Sequence, residues 1–149
     1  MQNVFRILAV DDYEQFRHFL HSKLQSRSDL RIVGEASDGL MAVQKAEELQ
    51  PDLILLDIGL PRLNGIEAAR RISRLVPAAK ILFVSQNHDA DVVLSALGAG
   101  AMGYIRKENA HADLLPAIEA VLRGDRFVSK GLRIETSQQA KPQYVGSRV

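Results

Sequence analysis

Five short aliphatic runs recur along the chain, each followed by a longer stretch of helical period. This alternation leaves few folds open. The runs are RILAV (6–10), RIVGEA (31–36), LILLD (53–57), KILFVS (80–85) and GYIRK (103–107). They are rich in Ile, Val and Leu and bounded by turn residues, as strands are. Between them, apolar residues return every three or four positions, the period of a helix with one buried face. Residues 14–26 carry Phe16, Phe19, Leu20 and Leu24. Residues 39–49 carry Leu40, Val43, Ala46 and Leu49. The same spacing predicts helices over 65–75, 90–99 and 111–123. Pro51 and Pro77 stand just past two of them, where a helix stop is expected.

A strand–helix unit repeated five times has a preferred solution. Strands that are apolar throughout are buried on both faces, which favours a parallel sheet. Right-handed crossovers then give an open, doubly wound sheet. The predicted fold is therefore α/β, a doubly wound five-stranded parallel sheet of (βα)5 order. Such sheets bind ligands beyond the C-terminal ends of their strands, where the strand order reverses. The chain places its chemistry at that edge. Asp11 and Asp12 follow the first predicted strand, Asp57 ends the third, Ser85 the fourth and Lys107 the fifth.

Composition narrows the chemistry. The 149 residues suffice for one domain with a sizeable core. The chain has no cysteine, so disulfides, thiolate metal sites and a cysteine nucleophile are excluded. A formal net charge of +1 offers no global basic field for nucleic acid. No stretch approaches the roughly 18 uninterrupted apolar residues of a membrane span, and the apolar N-terminal run is too short for a signal peptide. A cytoplasmic protein without a membrane partner is expected. From Ser129 the periodicity ends, so residues 1–128 are expected to form the domain and 129–149 a flexible tail or linker remnant.

Three carboxylates converging on one site repel one another. Lys107 offsets one charge, and a divalent cation would offset two more. Oxygen donors without His or Cys suit a hard cation, and Mg²⁺ fits best because it is commonly held by one or two carboxylates with waters and phosphate oxygens. A carboxylate beside Mg²⁺ can attack phosphorus to give an aspartyl phosphate, whose charge the Lys107 ammonium and Ser85 hydroxyl are suited to meet. Each residue also has a plainer reading. Asp11 and Asp12 could cap a helix, Ser85 could be a turn residue, Lys107 a solvated lysine and Tyr104 a packed strand residue. His18 and His21, three apart, read as a solvated helix face, and His88 as a loop residue near the site's mouth.

Taken together, VDD at Asp11–Asp12, LLDIGLPRLNG with Asp57, FVSQ with Ser85 and GAMGYIRKEN with Tyr104 and Lys107 resemble a response-regulator receiver domain of two-component signalling, over about residues 4–128. The resemblance implies the flavodoxin-like receiver fold, with Asp57 as phosphoacceptor. It implies Asp12, Asp57 and the Gly59 carbonyl as direct Mg²⁺ ligands, with Asp11 acting through water. Ser85 would bond a phosphoryl oxygen, Tyr104 would be the aromatic switch, and Lys107 would pair with the phosphoryl group. A sensor histidine kinase or phosphotransfer protein would be the donor. The chain would be no enzyme beyond catalysing its own phosphorylation and dephosphorylation. A surface of helix 4, strand 5 and helix 5 would change for a partner, with room for homodimerisation on phosphorylation.

Two positions depart from the common pattern. Ser85 lacks the methyl group of the more usual Thr, and Glu108 stands where many receivers have proline. The segment from Gly100 to Ser129 is most similar to receivers followed by a LuxR-type helix-turn-helix. Only 25 residues follow Gly124, too few for such a domain, so this chain is expected not to bind DNA itself. The alternative is that it is the receiver fragment of a DNA-binding transcriptional regulator. A phosphatase of the haloacid-dehalogenase type would need a second acid two residues after the nucleophile, where Gly59 stands. A receiver reduced to a pure interaction module is disfavoured because every pocket group is present.

Overall fold

The computed structural model describes residues 3–132. Of the expected tail 129–149, positions 133 onward lie outside the described residues, whereas Ser129 and Leu132 at its start are buried against the domain. The elements are β1 (Phe5–Val10), α1 (Glu14–Leu24), β2 (Leu30–Ala36), α2 (Gly39–Leu49), β3 (Leu53–Leu56), α3 (Gly65–Leu75), β4 (Lys80–Ser85), α4 (Ala90–Gly98), β5 (Gly103–Arg106), α5 (Ala110–Arg123) and β6 (Phe127–Val128). A 3-10 turn over Lys107–Asn109 joins β5 to α5.

All strand pairs are parallel, in the order β2-β1-β3-β4-β5-β6. The sheet therefore has six strands, where five were expected. A two-residue strand carries no period that a sequence can display. Its identity comes from the open edge of β5: Phe127 N–H donates to the Met102 carbonyl at 3.2 Å and Ser129 N–H to the Tyr104 carbonyl at 3.0 Å. Two strand ends also retreat by one residue, so that Asp57 and Lys107 lie just past β3 and β5 rather than within them.

The sheet separates two apolar layers, and successive strand residues alternate between them. Leu8 and Val10 of β1, Ile54 and Leu56 of β3, and Ile81 and Phe83 of β4 pack with Ala42, Ile72 and Val93 of α2, α3 and α4. Ile7, Ala9, Leu53, Leu55, Leu82 and Val84 face the other way, against Leu20 and Leu24 of α1 and Leu114, Ile118 and Val121 of α5. Helices on both faces explain why these strands are apolar at every position. The strand order reverses at β1, whose neighbours are β2 and β3. The crevice beyond the C-terminal ends of β1 and β3 is the switch point of this sheet.

Candidate phosphoryl and metal site

The backbone carries the ladder one residue beyond each strand and so fixes both central acids. Asp11 N–H donates to the Ala36 carbonyl at 3.0 Å, and Asp57 N–H to the Val10 carbonyl at 3.1 Å. Asp11 is 1% exposed and Asp57 8% exposed, whereas Asp12 is exposed at the rim. One carboxylate oxygen from each of Asp11, Asp12 and Asp57 lies within 4.8 Å of the others. These donors are hard oxygens, with no imidazole or thiolate among them, and that set fits Mg²⁺.

Lys107 enters from the far side of the sheet edge. Its Nζ is 2.7 Å from Asp11 Oδ2 and 3.2 Å from Asp57 Oδ2. The remaining oxygens have backbone donors: Tyr13 N–H to Asp11 Oδ1 at 2.9 Å and Ile58 N–H to Asp57 Oδ1 at 2.7 Å. Burial pushes the Asp11 carboxyl above its ordinary value, against the pull of Lys107. Burial also works to lower Lys107, but its bond to Asp11 and the Asp57 charge outweigh it, and the ammonium is held above its ordinary value. The lysine is thus firmly charged.

A cleft of about 630 Å³ opens over the site, lined by Asp12, Asp57, Gly59, Ser85, Asn87 and Lys107 among others. A Cβ built at Gly59 would meet nothing within 4 Å, so this side of the cleft is open. Gly65 is the opposite case. A Cβ there would lie 1.9 Å from the Asp57 carbonyl oxygen, so the start of α3 presses directly on the backbone of the central acid. Asn64 caps that helix, its Oδ1 accepting from Glu67 N–H at 3.0 Å.

Ser85 is 3% exposed, and its Oγ accepts from Asn87 N–H at 3.1 Å. Tyr104 is fully buried, its ring 5.9 Å from that of Phe83. Its hydroxyl donates to the Asn87 carbonyl at 2.7 Å. Burial pushes the phenol above its ordinary value, with the Ser85 hydroxyl acting in the opposite direction. Ser85 and Tyr104 thus meet on the same short loop after β4.

The structure brings Asp11, Asp12, Asp57, Gly59, Ser85 and Lys107 to one place, with Tyr104 directly behind them. It also adds residues that sequence reasoning did not single out. Arg17 of α1 donates from Nη1 to the Asp11 carbonyl at 2.5 Å and from Nε to Glu35 Oε1 at 2.6 Å. Glu35 Oε2 lies 2.7 Å from His21 Nε2. His21 therefore has a carboxylate partner supplied by β2, which no local pattern in α1 could reveal. His18 stays exposed, 3.9 Å from Glu14. Phe16 was legible only as an apolar-face residue, yet the Lys107 Nζ sits over its ring, 4.6 Å from the centroid.

Residues 7–119 match the family model of the response regulator receiver domain. The transcriptional regulatory protein LiaR of Bacillus subtilis is 37% identical over 122 residues, covering 82% of this chain and 58% of that protein. The response regulator protein VraR of Staphylococcus aureus is 37% identical over 136 residues, covering 91% of this chain and 65% of its own. The chain thus spans less than two thirds of either relative. A LuxR-family two-component response regulator from Aurantimonas superposes with a TM-score of 0.83 at 35% identity, over 87% of this chain and 93% of that one. The response regulator domain of Thermotoga maritima CheB gives 0.73 at 36% identity, over 82% and 96%.

Proposed function

The chain belongs to the response regulator receiver domain family, and from that membership we propose that it is a phosphorylation-dependent signalling switch with Asp57 as phosphoacceptor. The observation that carries this reading is the placement of Lys107 Nζ between Asp11 and Asp57, beside three carboxylates at the sheet's switch point. A phosphohistidine of a sensor kinase or phosphotransfer protein is the donor. An Asp57 carboxylate oxygen attacks phosphorus, the new O–P bond forms, the P–N bond breaks, and the imidazole leaves. Asp12, Asp57 and the Gly59 carbonyl, with Asp11 through water, would hold Mg²⁺, which would supply charge neutralisation at the phosphoryl oxygens. Lys107 keeps its protons and hydrogen-bonds the arriving oxygens. Asp11, buried behind it, keeps the ammonium oriented.

Ser85 would turn from Asn87 N–H toward the new oxygens. Tyr104 would be the aromatic switch, as a residue that takes an inward position on phosphorylation. Its ring is already inward and bonded to the Asn87 carbonyl, so the phosphoryl group would act by holding that arrangement and draining any outward population. The readable surface is then α4, β5 and α5. Residues 1–128, extended by the packed Ser129 and Leu132, are the signalling unit, in the cytoplasm where kinase and phosphodonor meet. Among the described residues no helix is long and apolar enough to cross a membrane.

The test is to incubate the chain with Mg²⁺ and acetyl phosphate and weigh the intact protein. One phosphoryl mass addition is expected, and none in Asp57→Asn. An addition that persists in that variant would remove Asp57 from its role. Size-exclusion with and without beryllofluoride tests homodimerisation on activation. A second reading is favoured by the 58% coverage of LiaR: the chain is the receiver part of a DNA-binding transcriptional regulator. A helix-turn-helix encoded past Val149 in the genomic reading frame would establish it.

A further inference from the structure

Lys107 is a wall between two hollows. On one side lies the polar cleft over Asp57. On the other lies a largely apolar hollow of about 320 Å³, lined by Tyr13, Phe16, Phe19, Lys107, Glu108 and His111 among others. Asp11 and Asp57 hold the ammonium at 2.7 and 3.2 Å. A lysine stem is flexible, and the apolar hollow is open to it. What stands on that side is the face of Phe16, 4.6 Å from Nζ to ring centroid.

An aromatic face attracts an ammonium through its quadrupole, more strongly where water is excluded. The Lys107 side chain is 13% exposed, so this contact is largely desolvated. The ring is itself braced. Phe19 packs against it at 5.3 Å between centroids, and both rings lie on the apolar layer between the sheet and α1 and α5. The ammonium therefore meets Asp11, Asp57 and the ring, and the ring asks for no proton in return. Of the ammonium's three donors two face Asp11 and Asp57, and because the ring takes none the third is spared for an arriving oxygen.

We infer that Phe16 is a positioning residue for phosphorylation of Asp57, its ring face holding the Lys107 ammonium between Asp11 and Asp57 where phosphoryl oxygens arrive. The inference rests on the phosphoacceptor reading for its rate effect, but the contact itself is measured independently of it. In the step concerned, the Asp57 O–P bond forms and the acyl O–P bond of acetyl phosphate breaks, releasing acetate. Lys107 donates hydrogen bonds and transfers no proton.

The experiment uses the full chain as Phe16→Leu, which keeps an apolar side chain and removes the ring, and as Phe16→Tyr, which keeps the ring. Initial loading from acetyl phosphate at saturating Mg²⁺, read by intact mass, should fall about fivefold in Phe16→Leu and stay within about twofold of the parent in Phe16→Tyr. Without any phosphodonor, the Lys107 Hε proton resonances should lie upfield from ring current in the parent and in Phe16→Tyr, and move downfield in Phe16→Leu. Phe16→Met replaces the leucine variant if circular dichroism shows that variant unfolded. Unmoved Hε resonances in the ring-less variant, or loading at the parent rate, would overturn the inference. Failure of the parent to load on Asp57 would overturn the phosphoacceptor reading instead, with the resonances still deciding whether the ring holds the ammonium.

Discussion

Lys107 shows how one side chain can settle an otherwise unfavourable site. Asp11 is buried, and its neighbour Asp57 carries the same sign. Removing the cation from such a pair leaves a buried charge uncompensated, which typically costs more than the pair contributes. Lys107→Ala should therefore lower unfolding stability by roughly 3 kcal/mol in metal-free buffer. Added Mg²⁺ should recover more stability in the variant than in the parent, because it supplies the missing positive charge. Urea denaturation with and without Mg²⁺ checks both statements, and an unchanged midpoint in metal-free buffer would show that Asp11 does not depend on Lys107. The pair was legible as two residue types at two strand ends. That Asp11, rather than Asp57, takes the shorter contact with Lys107 was not, because it depends on the depth of each acid in the crevice.

At the scale of elements, two connections control the site without touching a phosphoryl group. The first is the β3–α3 loop. Asn64 caps α3 and Gly65 lets the helix start close against the Asp57 carbonyl. Because that contact is with backbone, Gly65→Ala must displace either the helix or the acid. A loss above about 2 kcal/mol is expected, together with slower phosphoryl loading, measured by thermal unfolding and intact mass. An alanine variant as stable and active as the parent would mean the loop yields freely. The second is the strap at β6. Ser129 is 3% exposed, accepts from Arg106 N–H at 3.2 Å and donates to Asp113 at 2.8 Å, tying β5 to α5. Leu132 joins the same apolar layer as Tyr104. Ser129→Ala leaves the Arg106 N–H without that partner and should cost about 1–2 kcal/mol. Faster amide exchange at Arg106 should accompany the loss, and exchange at the parent rate would contradict the strap's role. The helices and five strands were legible from period alone. The strap was not, since its two strand residues find their meaning only in the free edge of β5.

Across the whole molecule, charge couples α1 to the sheet edge. Burial works to raise Glu35, but its bonds to His21 and Arg17 prevail and hold it below its ordinary 4.5. A carboxyl depressed in the folded state stabilises fully above its unfolded value, and that contribution is lost as pH falls through the folded value. Stability should therefore decline below about pH 4.5, and Glu35→Gln should flatten that part of the acid limb. Asp11 works in the opposite sense: raised in the folded state, it becomes less unfavourable as pH falls. Urea midpoints between neutral and acid pH, in parent and variant, decide this, and an acid limb unchanged by Glu35→Gln would show that the Arg17–Glu35–His21 group does not stabilise the fold. The sequence by itself determined the α/β alternation, the five main strands and the edge at which Asp11, Asp12, Asp57, Ser85 and Lys107 fall. Periodicity and strand ends are local properties, and the side of a parallel sheet on which a strand ends follows from chain direction alone. Tertiary structure decided what local pattern cannot encode: the sixth strand, the approach of Gly65 to Asp57, the inward Tyr104, and the joining of Phe16 to Lys107 and of Arg17 to Asp11 and Glu35. Each of these is a distance between residues from different elements, set by how the helices seat on the sheet.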